Sequence, residues 1–190
     1  AGERFDYVVV AVGPQHAAPL LAGQPATAES ARLLAGYRFE PIATVYCGYP
    51  PQLRLPFPML GLAAQNGGQI GQWVFDRGML CGTPGVIAFV LSGHGAWEKL
   101  DKPTLVAQLD SELSAALCTR LPAIEWQQVI REQRATFSCR PGLHRPAART
   151  ARSGLWLAGD YVCADYPATL EAAVRSGLAA ARGMLLESRS

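Results

Sequence analysis

The stretch GLWLAGDYVCADYPATLEAAVRSG, residues 154–177, decides how the chain is read. The apolar run at 154–158 has the length of a short buried strand and ends in Gly159-Asp160. A loop follows, and Pro-Ala-Thr-Leu-Glu (167–171) then has the form of a helix start with Thr169 as N-cap. Leu170, Val174, Leu178, Ala181 and Leu185 recur at helical spacing and predict a helix over 169–186 with an apolar face. Asp160 falls at the C-terminal end of its strand, where open α/β sheets bind ligands. With Thr169 as cap, the amides of Leu170, Glu171 and Ala172 lack intrahelical partners and favour negative charge. Gly159 lets a ligand approach the backbone, and Ala173 and Gly177 let the helix pack closely against a neighbour. A carboxylate acceptor beside amide donors suits a hydroxylated, charged ligand. The same residues also read as a turn and a cap, and spacing alone leaves both readings open.

Working outward, YVVVAV (7–12) is a β-branched run of the kind buried on both faces of a sheet, closed by Gly13-Pro14. Residues 16–21 and 30–36 are short helix candidates, and PIATVYCGY (41–49) is a strand. YPPQLRLPFPML (49–60) carries four prolines, so it is a loop or edge segment, with Leu53, Leu55, Phe57, Met59 and Leu60 exposed or semi-exposed. Residues 71–76 and 85–92 are two strands joined by a Gly-rich, hairpin-like return. Asp101 caps a helix over 104–118 with a stripe of Leu105, Leu109, Leu113 and Leu117. Residues 126–139 alternate as a strand with Val129, Arg131, Gln133, Ala135 and Phe137 on one side, and 141–153 is an Arg- and Pro-rich loop.

In 190 residues, high apolar content and a net charge of +2 argue against a disordered chain and against nucleic-acid binding. No apolar run approaches the roughly 20 residues of a membrane-spanning helix, and no signal peptide is recognisable. Five dispersed cysteines without CxxC spacing predict neither a disulfide framework nor a zinc site, and favour a cytoplasmic setting. The three histidines have no ligand spacing, so no metal is expected. The abrupt opening at an apolar strand leads to the expectation of a C-terminal piece of something longer. A ligand with ribityl hydroxyls or a phosphate near Asp160 and a ring oxygen at the Leu170 and Glu171 amides would suit a flavin.

The motif at 154–177 resembles the C-terminal FAD-contacting segment of the flavin amine oxidase and phytoene desaturase superfamily. EPIATVYCGYPP, LPFPMLGL, GQWVFDRG and VIREQRATFSCRPGLHRPAART, taken with it, resemble the squalene-associated FAD-dependent desaturases, also described as hydroxysqualene dehydroxylases. The resemblance implies an α/β (α+β) fold. Partial FAD-binding, Rossmann-like elements stand at both ends, 1–36 and 141–190, around an inserted antiparallel-sheet substrate domain at 37–140. It implies that Gly159, Asp160, Thr169, Leu170 and Glu171 bind FAD. The GxGxxG turn and its acidic partner that open such folds are not found, so the chain alone is expected not to retain FAD and to be inactive.

Trp73 and Phe75, alternating on one strand, are candidates to line a tunnel for an isoprenoid substrate, and Tyr166 to face that substrate; each also reads as ordinary packing. The loop at 53–60 suits peripheral contact with the inner membrane face. Six arginines against Glu132 over 131–152 suit anionic lipid or FAD phosphates, or else a solvated basic loop. Uncovered apolar faces on 7–12 and on the last helix suggest a homodimer of the isolated chain. No catalytic acid or base is assigned, since the flavin carries the electrons. The resemblance implies reductive dehydroxylation of hydroxysqualene to squalene. A FAD-dependent desaturase or amine oxidase, with electrons flowing to the flavin, is the alternative. A non-enzymatic lipid-binding or interaction module is the reading from another class.

Overall fold

The computed structural model describes residues 3–62 and 68–189. The chain forms two compact units, one of Ala1–Phe39 with Thr136–Ser190 and the other of Glu40–Ala135.

The second unit is built on a five-stranded sheet. Its strands are β2 (Phe39–Gly48), β3 (Met59–Gly61), β4 (Trp73–Asp76), β5 (Val86–Ser92) and β6 (Trp126–Phe137), in spatial order β3-β4-β5-β2-β6. Alternation along the strands sorts side chains onto two faces. Ala43, Val45 and Cys47 of β2, Val74 of β4, and Ile87, Phe89 and Leu91 of β5 are fully buried on one face. They share a core with Leu105, Leu109 and Leu113 of the helix Lys102–Ala116. That helix starts as expected, with the Asp101 carboxylate accepting from the Thr104 amide at 2.8 Å.

Two expectations in this unit are corrected. The return between β4 and β5 is not a plain hairpin but contains a short helix, Arg77–Cys81, capped by Asp76 and ended by Gly82 in the left-handed region. Leu55 is not exposed but 4% accessible. The reason is the same residue, Asp76, which is fully buried and accepts from the amides of both Leu55 and Met79 at 3.0 Å. That bond draws the proline-rich segment down over the core, where its spacing gave no sign of being held.

The first unit carries a two-stranded parallel sheet, β1 (Val8–Val10) and β7 (Leu155–Leu157), in the register Val8↔Leu155. Helices Pro14–Leu21 and Ala28–Ala35 pack their Leu21 and Leu34 with Leu157 and Tyr161 in one core. The last helix, Leu170–Glu187, follows the loop after β7. Here also the outcome differs from expectation. The run at 7–12 is not buried on both faces: Val8, Val9 and Val12 are exposed, because β1 pairs with β7 alone among the described strands. The last helix does not bury its large apolar face. Leu170, Val174, Leu178 and Leu185 are exposed, while Ala172, Ser176 and Ala180 are buried. Small residues make the contact because a large ring already occupies the space, with Gly183 lying against the indole of the buried Trp156. Gly177, by contrast, has open space where its side chain would be, so it makes no close approach.

Candidate functional site

The site begins where β7 ends. Gly159 has φ +155°, a conformation that side chains disfavour, and any Cβ there would run into the ring of the fully buried Tyr161. The Gly159 amide donates to the Ser176 hydroxyl at 2.7 Å, and that hydroxyl donates to the Ala173 carbonyl at 2.8 Å. Ser176 therefore ties the strand end to the side of the last helix. It was not singled out in the sequence, although it stands seven residues after Thr169, on the same helical face.

At the helix head the Thr169 hydroxyl accepts from the Ala172 amide at 3.1 Å, the capping geometry read from the sequence. The Ala172 amide is thereby used, which narrows the expected set of three donors to Leu170 and Glu171. Leu170 stands 87% exposed. The Glu171 carboxylate is turned away to the Arg175 guanidinium at 2.6 Å, so what this residue offers a ligand is its amide. Arg175 in turn lies 4.9 Å above the Tyr166 ring, which fixes that aromatic beside the helix start.

Asp160 is half-buried, and burial pushes its carboxyl above the usual range. The amides of Tyr161 and of Asp160 itself, and then the charge of Arg145, oppose that rise. The carboxylate forms no ion pair among the described residues. At the next residue, the Tyr161 hydroxyl is buried without a hydrogen-bond partner among the described residues, and burial pushes its pKa up to about 12. A partly desolvated carboxylate and two free amides on one strand–loop–helix form a donor and acceptor set that fits hydroxyls and a ring carbonyl. The residues present thus fit a flavin.

Much of the basic segment 131–152 is used within the chain. Arg131 donates to the Leu100 carbonyl at 2.7 Å, Arg149 pairs with Glu187 at 2.9 Å, and Arg152 bonds to Gln24. Arg145 donates to backbone carbonyls of the loop after β7. Among the described residues no group of three His, Cys, Asp or Glu side chains is arranged to hold a metal, and no helix is long and apolar enough to cross a membrane.

The second unit presents a separate feature. The face of its sheet opposite the helix carries two registered rows, Met59–Phe75–Ala88–Tyr46 and Gly61–Trp73–Val90–Thr44. Trp73 is 45% exposed and Met59 51% exposed, and the Trp126 indole lies on the backbone of Gly48. The aromatic pair read from the sequence is thus on the open face and not in the core. Phe57, in the proline-rich segment, is exposed as expected.

The chain thus combines a unit with a parallel strand pair and a unit built on an antiparallel sheet, a mixed α/β architecture. The model of the flavin containing amine oxidoreductases matches residues 1–185, and the chain belongs to that family. It is 31% identical over 189 residues to the hydroxysqualene dehydroxylase of Rhodopseudomonas palustris, covering 97% of this chain and 40% of that protein. Over 97 residues, half of this chain and 23% of the relative, it is 39% identical to the hydroxysqualene dehydroxylase of Zymomonas mobilis. Among solved structures, cyclohexylamine oxidase from Brevibacterium oxydans superposes with a TM-score of 0.67 at 15% identity, over 97% of this chain and 43% of that one. The chain therefore spans less than half the length of these proteins.

Proposed function

We propose that this chain is the part of a FAD-dependent oxidoreductase that closes the flavin site and supplies the substrate sheet, and that the whole protein removes the hydroxyl of a hydroxysqualene-type isoprenoid. The observation that carries this reading is that one strand–loop–helix holds a partly desolvated Asp160 carboxylate, without an ion pair among the described residues, and the Leu170 and Glu171 amides at a capped helix head. Asp160 would accept from flavin hydroxyls, and the two amides would hold a ring oxygen, where negative charge is favoured by the helix dipole. When bound, a reduced flavin would supply the hydride equivalent that replaces the hydroxyl on carbon. With one proton for the departing oxygen, the products would be the hydrocarbon, water and oxidised flavin. Membership of the flavin family and the names of the dehydroxylase relatives support this assignment.

The open sheet face is the natural seat for the hydrocarbon chain, since Phe75 and Met59 offer purely apolar area and the rings of Trp73 and Tyr46 extend it. Replacing Trp73 and Phe75 together by alanine is expected to raise KM for the isoprenoid about tenfold through lost apolar contact. Their partial exposure limits the stability loss to about 1 kcal/mol. Steady-state kinetics alongside urea unfolding checks both.

The assignment is tested by anaerobic single turnover of the full-length protein. Mixing prereduced enzyme with hydroxysqualene should oxidise the flavin and give one squalene per flavin. Oxidised enzyme that is instead reduced by an isoprenoid or an amine, leaving a new double bond or an imine, would reverse the direction of electron flow. A protein that purifies colourless and binds no flavin would remove the enzyme reading altogether.

A further inference from the structure

Arg145 stands in the Arg- and Pro-rich loop with no acidic partner among the described residues, yet it is not a solvated charge. Its Nη1 donates to the Tyr166 carbonyl at 2.8 Å and to the Cys163 carbonyl, and lies 3.4 Å from the Asp160 carbonyl. Its guanidinium sits 5.0 Å above the ring of the buried Phe137, which itself packs against Tyr37 with ring centroids 5.5 Å apart. One nitrogen therefore gathers three carbonyls spread over the loop that joins β7 to the last helix. That loop begins at Asp160 and ends just before Thr169, so its conformation sets where the carboxylate lies relative to the free amides. The described residues of the loop contain no strand or helix of their own. Side-chain tethers must hold such a segment, since each unmade carbonyl bond is a loss that ordering has to overcome.

We propose that Arg145 is the positioning residue of the flavin site: by tying the Asp160, Cys163 and Tyr166 carbonyls to one nitrogen on the Phe137 ring, it presets the spacing between the Asp160 carboxylate and the Leu170 and Glu171 amides. This rests on the flavin reading given above. Arg145 touches no reacting atom and acts through the loop. Preorganisation of this kind appears as affinity, because a loop already ordered needs no ordering on binding. Tyr166 is the second residue set by the same tether: its carbonyl is held by Arg145, and its ring lies under Arg175.

Three variants of the full-length protein, titrated with FAD and followed by visible circular dichroism, test the proposal. Arg145→Met keeps the stem but loses the donors, and is expected to bind FAD about tenfold more weakly or worse, with an altered flavin dichroism at saturation. Arg145→Lys keeps the charge and places three donors on a single nitrogen, which matches the one-nitrogen geometry seen here, and should recover most of the affinity. Arg145→Ala leaves the space above Phe137 open, and added millimolar guanidinium chloride should restore binding where an equal concentration of sodium chloride does not. Wild-type affinity and dichroism in a folded Arg145→Met would overturn the proposal. So would a Lys variant as defective as the Met variant together with no rescue by guanidinium, because only packing would then be at stake. If Arg145→Met does not fold, the Lys variant and the rescue decide. Asp160→Ala is the control that separates the two claims. Unchanged FAD affinity there would remove the site reading itself, whereas weakened binding there with intact binding in Arg145→Met would remove only the positioning role.

Discussion

Asp160→Ala in the full-length protein is expected to weaken FAD binding by about 10- to 100-fold, the range set by losing one hydrogen bond to a charged acceptor at roughly 1.5–3 kcal/mol. Fluorescence titration measures it. The substitution is not expected to cost the empty protein stability, and the sign follows from the carboxyl's environment. Burial raises its pKa in the folded chain above the ordinary carboxylate value. The folded state then binds the proton more tightly than the unfolded one, so this group favours folding most in acid. That contribution is lost as pH rises from the ordinary value through the raised one. At neutral pH the ionised carboxylate is a mild liability in the absence of ligand, and Asp160→Asn should leave Tm unchanged or higher. Weaker ligand binding together with undiminished stability is the signature of a residue kept for binding. A drop in Tm for Asp160→Asn at neutral pH would mark it as structural.

Gly159→Ala should produce the largest stability effect of any single methyl group at the site. The backbone conformation at φ +155° costs about 1–3 kcal/mol for an alanine. The added Cβ also meets the ring of Tyr161, which is fully buried in the core with Leu21 and Leu157 and cannot swing aside. Overpacking of that kind adds about 1–3 kcal/mol. A total of about 2–6 kcal/mol is expected from chemical denaturation. Gly48→Ala offers the contrast. Its Cβ would meet the Trp126 indole, but that side chain is 47% exposed and can move away, so a much smaller loss is expected there. Equal losses at the two glycines would show that the backbone conformation and the immobility of Tyr161 are not what decide the cost.

The parts of the fold that local chemistry dictates were legible. The cap at Asp101, the leucine stripe behind it, and the Thr169 helix start all follow from contacts within one or two turns. Residues 41–49 were legible as a strand, and β2 at Phe39–Gly48 covers most of that run. What stayed hidden depends on distant partners. Asp76 buries Leu55 across 21 residues, and no spacing rule connects them. The last helix reads as amphipathic, yet it packs by its small residues, because the bulk of Trp156 fills the interface from the other side. At the site, Asp160 and the helix head were readable as strand end and cap. The tethers that relate them, Ser176 and Arg145, act through backbone groups up to 21 residues away and leave no local pattern.

Hydrogen–deuterium exchange of the full-length protein, with and without bound FAD, tests most directly whether the strand end and the helix head grip one flavin. Peptides covering residues 159–172 should gain protection on binding, with the Leu170 and Glu171 amides among the slowed sites. Clear protection elsewhere in the protein, with exchange over 159–172 unchanged, would contradict it.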